Sequence, residues 1–396
     1  MGWPHEMTGA HHVCKNPSLT RLFLSFLRLG ATAFGGPAMV PYIRRVAVEQ
    51  KEWLDDGTFG DGVALCQTIP GATAMQVSAY VGLRARGIPG ATVSFIGFGL
   101  PAFLLMVALS AFYVRSYTLP PVAAVFNGLQ TIIVAIVANA TVSFAKTSLK
   151  ALRDAIIAMI AAAMFGSGVS PILVIILAAL LGYIIYKTNS LPTSSVSAAR
   201  NLSTGRSLLI IAFVAASGFA LLFLLERRLF DLAAIMFRID LFAFGGGFAS
   251  VPLMFHEIVE VRAWMDGQTF LNGIALGQIT PGPIVITATF AGYLLYGPLG
   301  AVVATLSVFL PSFLMVIGVT PYFEKLRGSA YFTRANRAIL CSFVGLLLTV
   351  TLRFASNVPW DIPRVLLGAA ALLALFLKVD IIWVVLAGTI ISIFFL

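Results

Sequence analysis

The sequence predicts an all-α integral membrane protein: two inverted-topology repeats with Gly/Pro-broken or re-entrant helices, joined by one central linking helix. Three observations predict it: a composition unfit for a water-soluble surface, an internal duplication, and glycine–proline breaks at matched positions in both copies. Of 396 residues, 59% are hydrophobic and 11% charged, with a mean hydropathy of +0.96. A soluble domain carries about 25% charged residues, so so few charges place the chain in lipid. In a soluble protein the net charge of +10 would suggest nucleic acid. Here the basic residues sit in short loops between apolar runs, where they set topology and meet anionic headgroups. The partner is therefore the lipid bilayer and not nucleic acid.

Taken in order, residues 1–18 are a polar tail with His5, His11, His12 and Cys14. They lack the basic and apolar regions of a signal peptide and read as a tail rather than a metal site. Residues 19–187 form the first repeat. Within it, 19–53 and 58–86 are apolar but interrupted by Gly and Pro, and 88–113, 119–145, 151–168 and 170–187 are apolar runs of spanning length. The Ser/Thr/Asn-rich stretch after Lys187 and the apolar run 207–225 give a polar linker and central transmembrane helix over 188–228. Residues 229–396 form the second repeat, with broken regions 229–264 and 269–296 and runs at 298–320, 338–354, 363–377 and 380–396. Several runs are short for a hydrocarbon core of ~30 Å and need flanking residues to reach both interfaces. The three cysteines, Cys14, Cys66 and Cys341, are too scattered for a disulfide framework or a metal motif.

The duplication is legible residue by residue. Phe34-Gly35-Gly36-Pro37 returns as Phe244-Gly245-Gly246-Gly247. Trp53, Asp55, Thr58, Gln67, Pro70 and Gly71 return as Trp264, Asp266, Thr269, Gln278, Pro281 and Gly282. Gly82, Gly87, Gly90 and Pro101 match Gly292, Gly297, Gly300 and Pro311 at the same offset of 210 or 211. Each half carries two broken segments and four runs, with one extra span between the halves. The number of crossings between equivalent points is then odd, so the second half is inverted. Lys146, Lys150, Arg153, Lys325, Arg327, Arg334 and Arg337 carry the positive-inside signal. It puts the N-terminus in the cytoplasm and the C-terminus outside, in a multi-pass protein of the inner (plasma) membrane.

Inverted repeats with matched broken helices point to a transporter's substrate site. A helix that starts in mid-membrane aims unpaired N–H groups and a positive dipole end into the cavity, which suits an anion. Four breaks qualify: Gly35-Gly36-Pro37, Pro70-Gly71, Gly245-Gly246-Gly247 and Pro281-Gly282-Pro283. Arg28 and Arg238 lie six residues before the Phe-Gly-Gly of each half and either neutralise an oxyanion or snorkel to an interface. Gln67 and Gln278 either donate to substrate oxygens or cap broken backbone. Asp240, which has Gly30 at its repeat position, reads as an arginine's partner rather than a proton carrier. Glu49 and Glu260 read as solvated acids of an interfacial segment. No phosphate loop, zinc motif or nucleophile elbow occurs, which points away from an enzyme, a metal or other cofactor, and direct ATP drive.

These residues resemble the chromate ion transporter (CHR) family, long-chain two-domain type. The resemblance rests on Leu27-Arg28-Leu29-Gly30-Ala31-Thr32-Ala33-Phe34-Gly35-Gly36-Pro37, Gly87-Ile88-Pro89-Gly90-Ala91, Phe244-Gly245-Gly246-Gly247 and Ile279-Thr280-Pro281-Gly282-Pro283-Ile284. It implies secondary transport of chromate out of the cell, with sulfate as structural analogue and a proton gradient or the membrane potential as driver. A homodimer is compatible with it. The first-half break departs from the family's Pro-Gly-Pro: it is Pro70-Gly71-Ala72, and Thr73 stands where an acid often follows. Other readings of the same scaffold are a transporter of sulfate or another anion, an anion channel, and a lipid-translocating protein.

Overall fold

The computed structural model describes residues 16–34, 39–186 and 202–395. The tail through residue 15, the Gly35-Gly36-Pro37 break and most of the polar linker lie outside the described residues. The described residues are helical, without strands. The first half runs α1 (Leu19–Thr32), α2 (Met39–Arg44, continued by wider π turns over Arg45–Gln50), α3 (Asp56–Thr68) and α4 (Thr73–Ser116), then α5 (Pro120–Ser148), α6 (Leu152–Gly166) and α7 (Pro171–Ile185). After the central α8 (Leu202–Leu225) come α9 (Arg227–Leu241), α10 (Ser250–Phe255, with π turns over His256–Val261), α11 (Gly267–Ile279) and α12 (Thr287–Val319). The short α13 (Phe323–Arg327) leads to α14 (Ala330–Asn357), α15 (Ile362–Phe376) and α16 (Ile381–Phe395). Among the described residues, five helices are long and apolar enough to cross a membrane. Large apolar side chains such as Leu104, Phe112, Leu180, Phe213, Leu306 and Leu373 stand exposed on the outside, the surface that lipid covers.

The duplication is written into the backbone. Asp55 and Asp266 cap α3 and α11 by accepting from the amides of Thr58 and Thr269 at 2.8 and 2.7 Å. These bonds satisfy orphan first-turn donors. The Thr58 amide and hydroxyl hold the Asp55 carboxyl below its usual range. Inside α4 the chain kinks at Arg86-Gly87 (φ −144° and +65°), and inside α12 at Tyr296-Gly297 (φ −140° and +62°). A threonine from each half, Thr141 and Thr351, meets its own repeat partner at 3.2 Å between α5 and α14. That contact marks the pseudo-two-fold axis.

The broken segments are re-entrant. The Arg86 guanidinium donates to the Pro17 carbonyl at 3.1 Å, which places the kink of α4 beside the start of α1. Gly62 on α3 lies against the ring of Tyr80 on α4, and Asp61 and Arg84 line one small cleft. The start of α3 therefore opens onto the same face. Phe26 of α1 likewise lies 6.2 Å from Trp53 beyond α2. Both first-half hairpins enter from this N-terminal face and return to it. The remainder of α4 and α5 then make a full crossing and return. The helices α6 and α7 have 15 residues each, about 22 Å, short of the ~30 Å core. Their ends meet where the Tyr186 hydroxyl donates to Asp154 at 2.6 Å. The first half thus begins and ends on one face, the single span α8 crosses, and the second half starts on the other. The halves are inverted.

They are also interlaced. The first half's α6 and α7 pack on α14 of the second half, and the second half's α15 and α16 pack on α5 of the first. The hairpin ends meet at the centre, where α4 packs along α12. There the Gly71 N–H donates to the Ala243 carbonyl at 2.9 Å, and its repeat partner Gly282 donates to the Ala33 carbonyl at 3.1 Å. Both glycines hold positive φ, +119° and +124°, which residues with a Cβ avoid. Glycine at these tips lets each half's amide reach the other half's backbone.

Candidate substrate site

Between the halves lies a cavity of about 1170 Å³. The first turn of α4, Thr73 and Ala74, forms part of its floor, together with Gly245, Gly246, Gly247, Phe248, Pro283 and Ile284 from the second half. Gly246 approaches Thr73 so closely that a Cβ there would lie 3.1 Å from the threonine Oγ1. Break tips from both halves therefore share one wall. Ala72, which caps α4, supplies no side-chain cap, so the positive end of the α4 dipole stays available to a bound anion. One side wall is α5, whose Asn139, Ser143 and Thr147 recur at four-residue spacing down one helical face. Gln67 and Thr68 of α3 stand opposite, and Lys150, Arg327 and Arg337 line the same cavity.

These cations mark the mouth. Arg337 donates to the fully buried Asp154 at 2.8 Å, with 37% of its own side chain exposed. Asp154 also accepts from the amides of Lys150 and Ala151 at 2.9 Å. The mouth therefore lies on the N-terminal face, beside Tyr186. Arg327 lies 3.9 Å from Asp61 of α3, which ties the rim of the second half to a first-half hairpin.

The equivalent region on the opposite face is closed. The repeat partners of Asn139, Ser143 and Thr147 are Thr349, Arg353 and Asn357. Thr349 donates to the Ala162 carbonyl at 3.2 Å. Arg353 pairs with Glu260 and donates to the Phe165 carbonyl at 2.7 Å. Glu260 also meets His256 Nδ1 at 2.9 Å, and Gln268 reaches the Asn357 carbonyl at 3.2 Å. The same polar stripe is thus open to a cavity on one face and latched to a hairpin on the other.

The structure gathers part of the sequence-predicted set. Gln67, Gly245, Gly246, Gly247 and Pro283 line the cavity. Pro70, Gly71, Pro281 and Gly282 are buried immediately behind the lining. Gly35, Gly36 and Pro37 lie outside the described residues, although their neighbours Val40 and Pro41 line the cavity. Gln278 lies outside the lining. So do Arg28, which is exposed on α1, and Arg238, which pairs with Glu257 across its own hairpin. Asp240 corrects an expectation. It contacts no arginine among the described residues; its Oδ2 accepts from Ser312 Oγ and N at 2.6 and 2.9 Å. Glu260 is likewise a latched acid, 26% exposed, rather than a solvated one. The sequence reading missed Asn139, Ser143 and Thr147, although polar residues at helical spacing in an apolar run were a readable signal.

Comparison with known proteins decides the family. The model of the chromate transporter family matches residues 20–183 and again 230–393. The chain belongs to the chromate transporter family. An uncharacterized transporter of Methanocaldococcus jannaschii is 41% identical over 95% of this chain and 94% of its own length. A chromate transport protein of Cupriavidus metallidurans is 32% identical, covering 93% of this chain and 90% of its own. One of Pseudomonas aeruginosa is 29% identical, covering 94% and 91%. No solved structure matches the chain. The two family matches coincide with the two inverted repeats, and the long-chain form of the family is a multi-pass membrane protein with both repeats in one chain.

Proposed function

We propose that this chain is a secondary transporter that carries chromate from the cytoplasm to the outside by alternating access. The observation that carries this reading is the cavity itself. Its floor is built from broken-helix tips of both halves, its walls are largely apolar with the uncharged polar groups Asn139, Ser143 and Thr147 set in them, and its rim is cationic. A dianion would be drawn to the rim, passed along Ser143 and Asn139, and held at the α4 N-terminus by backbone dipoles rather than by a buried charge. Such a site binds without the tight ion pair that would prevent release. Sulfate has the same tetrahedral shape and charge and would compete.

The N-terminal face is the cytoplasmic one in this reading, supported by Lys146, Lys150, Arg153 and the basic residues around α13 and the start of α14. The open inner cavity and the latched outer stripe are the two half-sites of an alternating-access cycle. In the outward state, the first-half hairpins would close on α5 as the second-half hairpins now close on α14. The test is chromate flux into proteoliposomes. Saturable flux, competed by sulfate and driven by a pH gradient or membrane potential, is expected. Flux that rises linearly with chromate and ignores both gradients would contradict the proposal.

A further inference from the structure

Asp240 is fully buried in the middle of the protein, and its Oδ1 has no hydrogen-bond partner among the described residues. Its Oδ2 accepts from Ser312, and the Ser312 hydroxyl in turn accepts from the Ala72 amide at 2.9 Å. The chain Ala72 N–H to Ser312 Oγ–H to Asp240 therefore straps the first-half break to the second half. One residue further along, Thr73 is cavity wall.

Among the described residues, no other ionisable group faces Asp240. From α12 it meets Ser312, and from the first-half break and α4 the nearest groups are Gly71, the Ala72 amide and the Gln76 amide. The neighbouring α10 has the sequence SVPLMF, without an ionisable residue. The nearest cation on α9, Arg238, is engaged with Glu257. On α8, the only ionisable residue is Arg206, in its first turn. An intramembrane carboxylate without a cation is a hallmark of proton relays.

The arrangement exists once. The repeat partners of Asp240, Ser312 and Ala72 are Gly30, Ala102 and Pro283. Gly282 sits against the Ala102 methyl where Gly71 sits against the Ser312 hydroxyl. Proline has no N–H, so the second-half break needs no acceptor. Ala72 does, and the Ser312–Asp240 pair supplies it.

We propose that Asp240 is the proton-binding site of the transporter, one per chain, and that Ser312 passes its protonation state to the first-half break. This rests on the transport reading above. With Asp240 ionised, the strap ends on a charged acceptor, and such bonds are roughly twice as strong as neutral ones. A proton arriving at Oδ1 weakens the strap, and the tip carrying Thr73 loosens beside the substrate.

The test separates this inference from the transport reading by using a readout without substrate. Thr73→Cys is labelled by a thiol reagent from the cavity, with Asn139→Cys as reference for the reagent's own pH dependence. The tail cysteine is replaced; Cys66 and Cys341 are buried. The ratio of Thr73→Cys to Asn139→Cys labelling is expected to rise about fivefold to tenfold from alkaline to acidic pH, matching the strength lost when the acceptor is neutralised. Asp240→Asn should abolish that rise, and Ser312→Ala, which keeps the acid but cuts the relay, should abolish it too. A rise that survives both substitutions, or is missing in the parent protein, overturns the proposal. In proteoliposomes, Asp240→Asn should retain chromate–chromate exchange and lose stimulation by a pH gradient; retained stimulation would also overturn it. If the parent protein moves no chromate, the transport reading fails while the labelling result still stands on its own.

Discussion

Glu260→Gln should open the outer face. Glu260 holds the Arg353 guanidinium on one oxygen and His256 on the other, at 26% exposure, while Arg353 is 22% exposed. Both groups are mostly withdrawn from water, so the loss is larger than for a surface pair. A hydrogen bond to a charged group contributes about 1.5–3 kcal/mol. The amide retains part of this, so the latched state should lose about 2 kcal/mol, or roughly a thirtyfold gain in the outward-open population while that state is rare. Thr349→Cys reports it, because Thr349 is 8% exposed behind the latch. Its labelling by a membrane-impermeant thiol reagent from the outer face should accelerate about thirtyfold in the Glu260→Gln background. An acceleration below about threefold would refute the assignment of Arg353–Glu260 as the outer closure.

Other substitutions probe the supports of the site. Gly71→Ala should lower the melting temperature in detergent, at a cost of about 2–6 kcal/mol. Its φ is +119° and the new Cβ would lie 2.1 Å from Ser312 Oγ, so backbone strain and overpacking add. Asp154→Asn removes the buried acceptor of Arg337, Tyr186 and two amides. It should cost about 2–4 kcal/mol, below the figure for a fully buried pair because Arg337 is 37% exposed. Thermal unfolding followed by tryptophan fluorescence checks both. Ala72→Pro should destabilise even though the backbone fits (φ −77°, against −76° at Pro283), because the Ala72 amide donates to Ser312 Oγ at 2.9 Å and the proline ring takes the place of that hydrogen. In a double-mutant cycle it should relieve Ser312→Ala of about 1 kcal/mol, because the amide that Ser312 serves is gone.

Much of the fold was legible because membrane segments must satisfy their own backbone. Breaks that would be noise in a soluble loop stood out in apolar runs, and the 210–211 offset tied them in pairs. The caps at Asp55 and Asp266 and the kinks at Gly87 and Gly297 were present as matched residues before their geometry was known. The interlacing of α6 and α7 with α14, and of α15 and α16 with α5, was not legible. These helices are apolar on all sides, and in lipid an apolar face does not declare its partner. The short runs were counted as spans, whereas the 15-residue helices α6 and α7 pair into a hairpin whose ends meet at Tyr186 and Asp154.

At the site, the breaks were readable and the polar contacts across the halves were not. Asp240 and Ser312 lie 72 residues apart, and Ser312 and Ala72 lie 240 apart, so only folding brings them together. The departure from Pro-Gly-Pro at Ala72 was visible as an anomaly. Its reason, an amide needing an acceptor, required the second half in place. Arg28 and Arg238 drew notice as charges in apolar segments, yet neither lines the cavity, whose cations are Lys150, Arg327 and Arg337 at the mouth and whose polar wall is Asn139, Ser143 and Thr147.

The central claim is that an oxyanion rests on the floor of the inner cavity, against the first turn of α4 and the Gly245-Gly246-Gly247 loop. Substrate protection of Thr73→Cys tests it most directly. Chromate should slow thiol labelling at Thr73→Cys saturably, sulfate should do the same, and labelling of Thr147→Cys nearer the mouth should be unaffected. Unchanged labelling at Thr73→Cys, at chromate concentrations that saturate flux, would contradict the account.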